Sequence, residues 1–172
     1  MAGRTPSQTV GPFFHEALRW RDGGKVGFPA AGARVVLVGR IIDGAGEPVG
    51  DALVETWQRL PEGCAAAATP GSSNPYAFGR VATAKDGTFR IETSMPAGAA
   101  PALDVTLFAR GLLKPLRTRA YLAPAERVRA DPAVASIAQS PRLDTLIARP
   151  EGGEYRWEVR LQGERETVFF AT

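Results

Sequence analysis

The apolar positions of this chain recur mainly at short range, in runs of five to nine residues closed by turn residues. RVVLVGRII (34–42) is β-branched and apolar, and it ends at Asp43-Gly44-Ala45-Gly46, a turn signal. In ALVETWQ (52–58), Leu53, Glu55 and Trp57 alternate with Ala52, Val54 and Thr56, the period of a strand. GRVATA (79–84) and TFRIET (88–93) flank Lys85-Asp86-Gly87, which predicts a hairpin. LDVTLFARG (103–111) and RTRAYL (117–122) are two further strands. The end of the chain gives two more, at 155–162 and 166–170.

Between them, 60–75 and 95–101 read as loops rich in Pro, Gly, Ser and Ala. The first 33 residues read as an extended arm, because Pro6 and Pro12 drive the residues before them out of the helical region. A short helix fits around 16–20. A second fits at 132–139, with Asp131 as N-cap and Pro132 as its first residue. No helical stretch is long enough for repeated crossovers between parallel strands. The pattern therefore predicts an all-β fold: an antiparallel β-sandwich of seven or eight strands with long loops and one or two short helices. Residues 34–172 form its single domain, and residues 1–33 form the arm.

Composition narrows the chemistry. The 172 residues suit one domain. Nineteen glycines and fourteen prolines agree with short strands and many turns. The net charge is +3, and 18 of the 21 basic residues are arginines scattered along the chain. A nucleic-acid binder concentrates such charge in a stripe, so no nucleic-acid role is expected. No apolar run approaches the ~18 residues of a membrane span, and the polar start MAGRTPSQ gives no secretory signal. These features predict a cytoplasmic protein with no membrane contact. Cys64 is the single cysteine, which excludes an internal disulfide and a thiolate metal cage. His15 is the single histidine, and Tyr76, Tyr121 and Tyr155 are the only tyrosines. A Ser-His-Asp triad, a phosphate loop and a multi-histidine metal site are all excluded for this chain by itself.

Two segments remain as candidate chemistry. TPSQTVGPFF (5–14) is either an arm tied down by Phe13 and Phe14 or a stiff edge presenting backbone and hydroxyl groups at a pocket. Arg110, at a strand end before Gly111, is either a surface charge or a fork offered to a carboxylate.

Taken in order, TPSQTVGPFF, DALVETWQ (51–58), FGRVATAKDGTFRIET (78–93), LFARG (107–111), TRAYL (118–122), LDTLIARP (143–150) and YRWEVRLQGERETVFF (155–170) resemble the intradiol ring-cleaving dioxygenases. The likeness covers nearly the whole chain. It is strongest to the α subunits of the members that act on protocatechuate. The resemblance implies O2-dependent opening of 3,4-dihydroxybenzoate to 3-carboxy-cis,cis-muconate, in aromatic catabolism by the β-ketoadipate route. It implies non-haem Fe(III) held by two tyrosines and two histidines of a partner β subunit, in a repeated αβ unit with the catalytic site between the subunits. It also implies that this chain alone is inactive.

The ligand positions are not kept here. The His-x-His positions of the iron-binding subunit fall at about Ala102 and Asp104. The loop 96–100, where a ligand tyrosine is expected, has none, and Tyr76 alone cannot complete a ferric site. The resemblance thus implies no metal ligand and no catalytic residue in this chain. It places Thr9, Gly11, Pro12, Phe13 and Arg110 along a shared substrate cavity, with Phe13 standing where many relatives have tyrosine. A free-standing β-sandwich binding module, or adaptor, is the main alternative. A homomeric dioxygenase is a third reading, for which the chain lacks both ligands and length.

Overall fold

The computed structural model describes residues 3, 5–26, 33–59 and 78–171. In chain order, helix α1 (Phe14–Ala17) precedes β1 (Lys25–Val26), β2 (Arg34–Ile42), β3 (Leu53–Gln58), β4 (Phe78–Ala82), β5 (Thr88–Ser94), β6 (Ala102–Phe108) and β7 (Leu116–Tyr121). Helix α2 (Ala125–Val128), two 3-10 helices (Pro132–Ile137 and Pro141–Leu146), β8 (Arg149–Glu151) and β9 (Glu154–Arg160) complete it. A five-stranded sheet, ordered β1-β5-β2-β9-β8, faces a four-stranded sheet ordered β4-β3-β6-β7.

The alternation read from the sequence sets the two inner faces. Val35, Leu37 and Ile41 of β2 and Trp157 and Val159 of β9 meet Val54 of β3 and Leu103, Val105 and Leu107 of β6 in one buried cluster. A polar tie crosses this interior. Thr93 Oγ1 donates to Gln58 Oε1 at 2.6 Å, and Gln58 Nε2 donates to the Ser94 carbonyl at 3.1 Å. Burial makes both bonds costly to lose.

The sandwich with short helices agrees with the sequence pattern, and the structure corrects several details. The pairing is mixed: β2 runs parallel to β9, and β1 runs parallel to β5. Alternation has no direction, so β9, which follows the long 122–148 connection and β8, fits either way. The turn at Lys85–Gly87 closes with Gly87 N–H on Ala84 O (2.8 Å) and Ala84 N–H on Thr88 O (2.7 Å). It does not continue as a hairpin, because β4 joins one sheet and β5 the other. The expected strand at 166–170 is a single bridge, Arg117 to Phe170. The helix expected at 132–139 is a 3-10 helix at Pro132–Ile137, capped as expected by Asp131, whose side chain accepts from Ala133 N–H at 2.9 Å. The short helix expected at 16–20 begins earlier, at Phe14. The loop expected at 60–75, with Cys64 and nearby Tyr76, lies outside the described residues.

The arm seals one side of the sandwich. Arg80 N–H of β4 donates to the Gly23 carbonyl (2.9 Å), and Glu92 N–H of β5 donates to the Gly24 carbonyl (2.7 Å). Both sheets are thereby capped on the same side by consecutive residues. A Cβ on Gly23 would lie 2.1 Å from the Arg80 carbonyl oxygen, and one on Gly24 would lie 2.5 Å from that of Arg90. Only glycine lets the backbone come so close.

The opposite side is closed by the helices, over a second cluster of Tyr121, Val128, Val134, Leu143 and Leu146. Tyr121 is fully buried, and its hydroxyl donates to Asp131 Oδ2 at 2.8 Å. Burial pushes the phenol up to about 12, and the Asp131 carboxylate adds to the rise, while the neighbouring Arg119 opposes it.

Two outcomes follow from these closures. Gly24→Ala is expected to cost about 1–3 kcal/mol, the usual range for an intrusion into close packing. Urea denaturation measures the loss, and limited proteolysis should find the arm newly cleavable. The Tyr121 phenol stays neutral well above the ordinary tyrosine value of 10.0. Its contribution is therefore complete below pH 10 and is lost as the pH rises from 10 through 12. The stability gap between the native chain and Tyr121→Phe should be constant from pH 8 to 10 and shrink by pH 11, read by denaturant titration at each pH.

Candidate functional site

The arm and the strand end singled out in the sequence meet in space. The backbone N–H of Gly111 donates to Thr9 Oγ1 at 2.7 Å, across 102 residues of sequence. Gly111 takes φ +89°, a left-handed turn that Leu112 N–H closes on Ala109 O at 3.3 Å. No neighbour approaches its α-carbon on the side-chain side, so the backbone angle, not space, favours glycine there. Beyond Thr9, the Gly11 carbonyl accepts from Phe14 N–H (3.2 Å) and starts α1. The Phe14 ring then packs on Phe108 of β6, with centroids 5.5 Å apart. The arm next crosses to β4, where Trp20 meets Phe78 edge-on at 5.1 Å.

Arg110 leaves the end of β6 with 60% of its side chain exposed. Its Nε donates to Asp51 Oδ2, just before β3. This bond sets the direction of the guanidinium, and neither Nη group of the fork has a partner among the described residues. The hollow beside it, about 480 Å3, is lined by Asp51, Lys85, Arg110 and Leu161 among others. An arginine aimed by one carboxylate, with a lysine nearby, can receive an anion. Thr9 is thus brought to the Arg110–Gly111 turn, whereas Gly11, Pro12 and Phe13 make no hydrogen bond to it among the described residues. Phe13 stands at the N-cap of α1 and is 72% exposed. Asp51 and Lys85 were not singled out in the sequence. Asp51 opens the DALVETWQ segment, where only its position before a strand was informative.

The positions corresponding to metal ligands do not fit a metal. Ala102 offers no donor atom. Asp104 Oδ1 accepts from Arg119 Nε at 2.7 Å, so a guanidinium already faces it. Arg119 also donates to Tyr121 Oη (3.2 Å) and to Asp131 Oδ2 (3.3 Å). Burial alone would raise the Asp131 carboxyl. The Ala133 N–H, the Tyr121 hydroxyl and Arg119 outweigh it and hold Asp131 below the ordinary carboxylate value. Among the described residues no group of three or more His, Cys, Asp or Glu can hold a metal ion. Tyr76 lies outside the described residues.

Comparison with known proteins agrees with these features. A family model described as Dioxygenase matches residues 9–105, more than half of the chain. The chain is 35% identical to the protocatechuate 3,4-dioxygenase alpha chain of Pseudomonas putida, over 96% of this chain and 95% of that one. It is also 35% identical to the alpha chain from Burkholderia cepacia, over 97% and 96%. The fold resembles an intradiol ring-cleavage dioxygenase from Tetranychus urticae, with a TM-score of 0.58, 15% identity and 92% and 94% of the two chains covered. It also resembles the hydroxyquinol 1,2-dioxygenase of Pseudomonas putida DLL-E4, with a TM-score of 0.57, 20% identity and coverage of 91% and 65%. Those structural likenesses speak to the fold, and the alpha-chain matches speak to descent. An arm fastened at Thr9, a sandwich of two sheets and full-length relatives at this identity lead to one assignment: the chain belongs to the intradiol ring-cleavage dioxygenase family, as a homologue of the protocatechuate 3,4-dioxygenase alpha chains.

Proposed function

We propose that this chain is the iron-free α subunit of a heteromeric, cytoplasmic protocatechuate 3,4-dioxygenase and supplies one wall of a substrate cavity shared with its β partner. The observation that carries the reading is the bond from Gly111 N–H to Thr9 Oγ1. It joins the arm to the turn that holds Arg110. The wall then consists of Thr9, Gly11, Pro12, Phe13 and Arg110. The resident cofactor is Fe(III), bound by the partner. It supplies the activation of the catechol and O2 that ring opening between the two hydroxyl-bearing carbons requires.

The work of this chain is to bind and orient. Protocatechuate carries a ring carboxylate remote from its two hydroxyls. The free Nη groups of Arg110 form a planar fork that a carboxylate can meet with two bonds. Asp51 holds Nε and so aims that fork. Selection of this acid over unsubstituted catechol would follow, because catechol leaves the arginine unpaired.

The surface also supports a partner. Phe13 is 72% exposed, Leu113 63% and Trp57 53%. Phe13 lies on the arm, Leu113 on the turn that Thr9 fastens, and Trp57 on the outward face of β3. Large exposed apolar groups favour burial in an interface.

Arg110→Ala in the assembled enzyme is expected to raise KM for protocatechuate roughly tenfold and to leave kcat within about twofold, as loss of a charge-assisted contact to the bound acid predicts. Steady-state O2 uptake measures both, and an unchanged KM would remove Arg110 from the wall. Produced alone, the chain should contain no iron and show no O2 uptake with protocatechuate. Produced with a β subunit from the same source, it should co-purify as an active, iron-containing complex. A stable, inert chain that joins no β subunit would instead indicate a binding module.

A further inference from the structure

We propose that this chain holds a second ligand site, a pocket built on Arg59, Arg119 and Arg127 that takes a small planar organic monoanion such as an aromatic monocarboxylate. This does not depend on the role of Arg110.

The pocket, about 450 Å3, lies on the outward side of β6 and β7. Arg59 just past β3, the loop 97–100, Arg119 of β7 and Arg127 of α2 bound it. Its walls are fixed before any ligand arrives. The Arg59 carbonyl accepts from Ala97 N–H at 2.9 Å, which ties the loop to the end of β3. Asp131 anchors the far wall by capping the 3-10 helix through Ala133 N–H.

Arg119 is the most constrained of the three cations. Its Nε and Nη1 are spent on Asp104, Tyr121 and Asp131, while Nη2 has no partner among the described residues. The guanidinium therefore keeps one edge open in a set orientation. The Arg59 and Arg127 side chains form no hydrogen bond or ion pair among the described residues. Two carboxylates, Asp104 and Asp131, stand against three guanidiniums, which leaves one positive charge uncompensated. One negative charge on the ligand balances the site.

The rest of the lining fixes the body of that ligand. Ala97, Ala99, Ala100 and Ala102 present methyl groups, and no long apolar side chain fills the space. A flat ring can rest on such a wall while its carboxylate meets the arginine forks. Inorganic phosphate has no apolar body and gains nothing from the alanines.

The test uses 4-fluorobenzoate as the probe, followed by fluorine NMR, with the full-length chain. Saturable binding is expected. Arg59→Gln and Arg127→Gln should each weaken it at least tenfold. Among the described residues neither side chain has a partner to lose, and circular dichroism checks that both variants fold. Neutral 4-fluorobenzamide should not bind. The proposal is overturned if Arg59→Gln and Arg127→Gln bind the probe like the native chain, or if inorganic phosphate displaces it as readily as benzoate does. The KM test on Arg110 reads the substrate wall independently, so the two proposals fail separately.

Discussion

The structure rests on the approach of two consecutive glycines to two different sheets. Gly23 accepts a hydrogen bond from β4 and Gly24 accepts one from β5, so a single step of backbone spans the open side of the sandwich. An uncovered strand edge presents unpaired amides and carbonyls and invites association with other chains. Here the cover comes from the segment that also carries Thr9. The arm cannot place Thr9 against Gly111 unless its other end is held. Fastening at both ends, with Phe14 on Phe108 and Trp20 on Phe78 between them, lays the arm across the outward face of the four-stranded sheet.

The same face shows what occupies the positions that correspond to metal ligands. Asp104 and Asp131 are both engaged by Arg119, and Tyr121 is locked as a neutral phenol between Arg119 and Asp131. These groups form a satisfied polar network, which is stabilising only because every member has a partner. A guanidinium thus takes part in the charge balance where a cation would otherwise be needed.

Much of this was legible in the residues. The strands of the central sheets follow from alternation and turn chemistry, and the Asp131 cap follows from an aspartate placed before a proline. Thr9 and Arg110 were singled out separately, and the fold brings them to the same turn. Other features carried no local signal. The parallel pairing of β9 with β2 depends on a connection whose path alternation does not encode. The split of β4 and β5 between sheets is decided by which inner face each strand can fill, since Val81 and Ile91 both point into the same core. Gly23 and Gly24 read as ordinary loop glycines, because the atoms that forbid a side chain there belong to Arg80 and Arg90, far along the sequence. Arg59 and Arg127 are two among many scattered arginines until the fold gives them a common wall.

The fastening of the arm also bears on the order in which the molecule can be made. Thr9 leaves the ribosome roughly 100 residues before the amide it will bind, and Gly24 emerges well before Glu92. Until β4 and β5 are made, the arm has none of these partners. Closure of such distant pairs is slow relative to local turns. The arm is therefore fastened only after β4, β5 and the Gly111 turn have been made. A nascent or partly folded chain is for that time the form most exposed to capture by chaperones and to pairing with its neighbours.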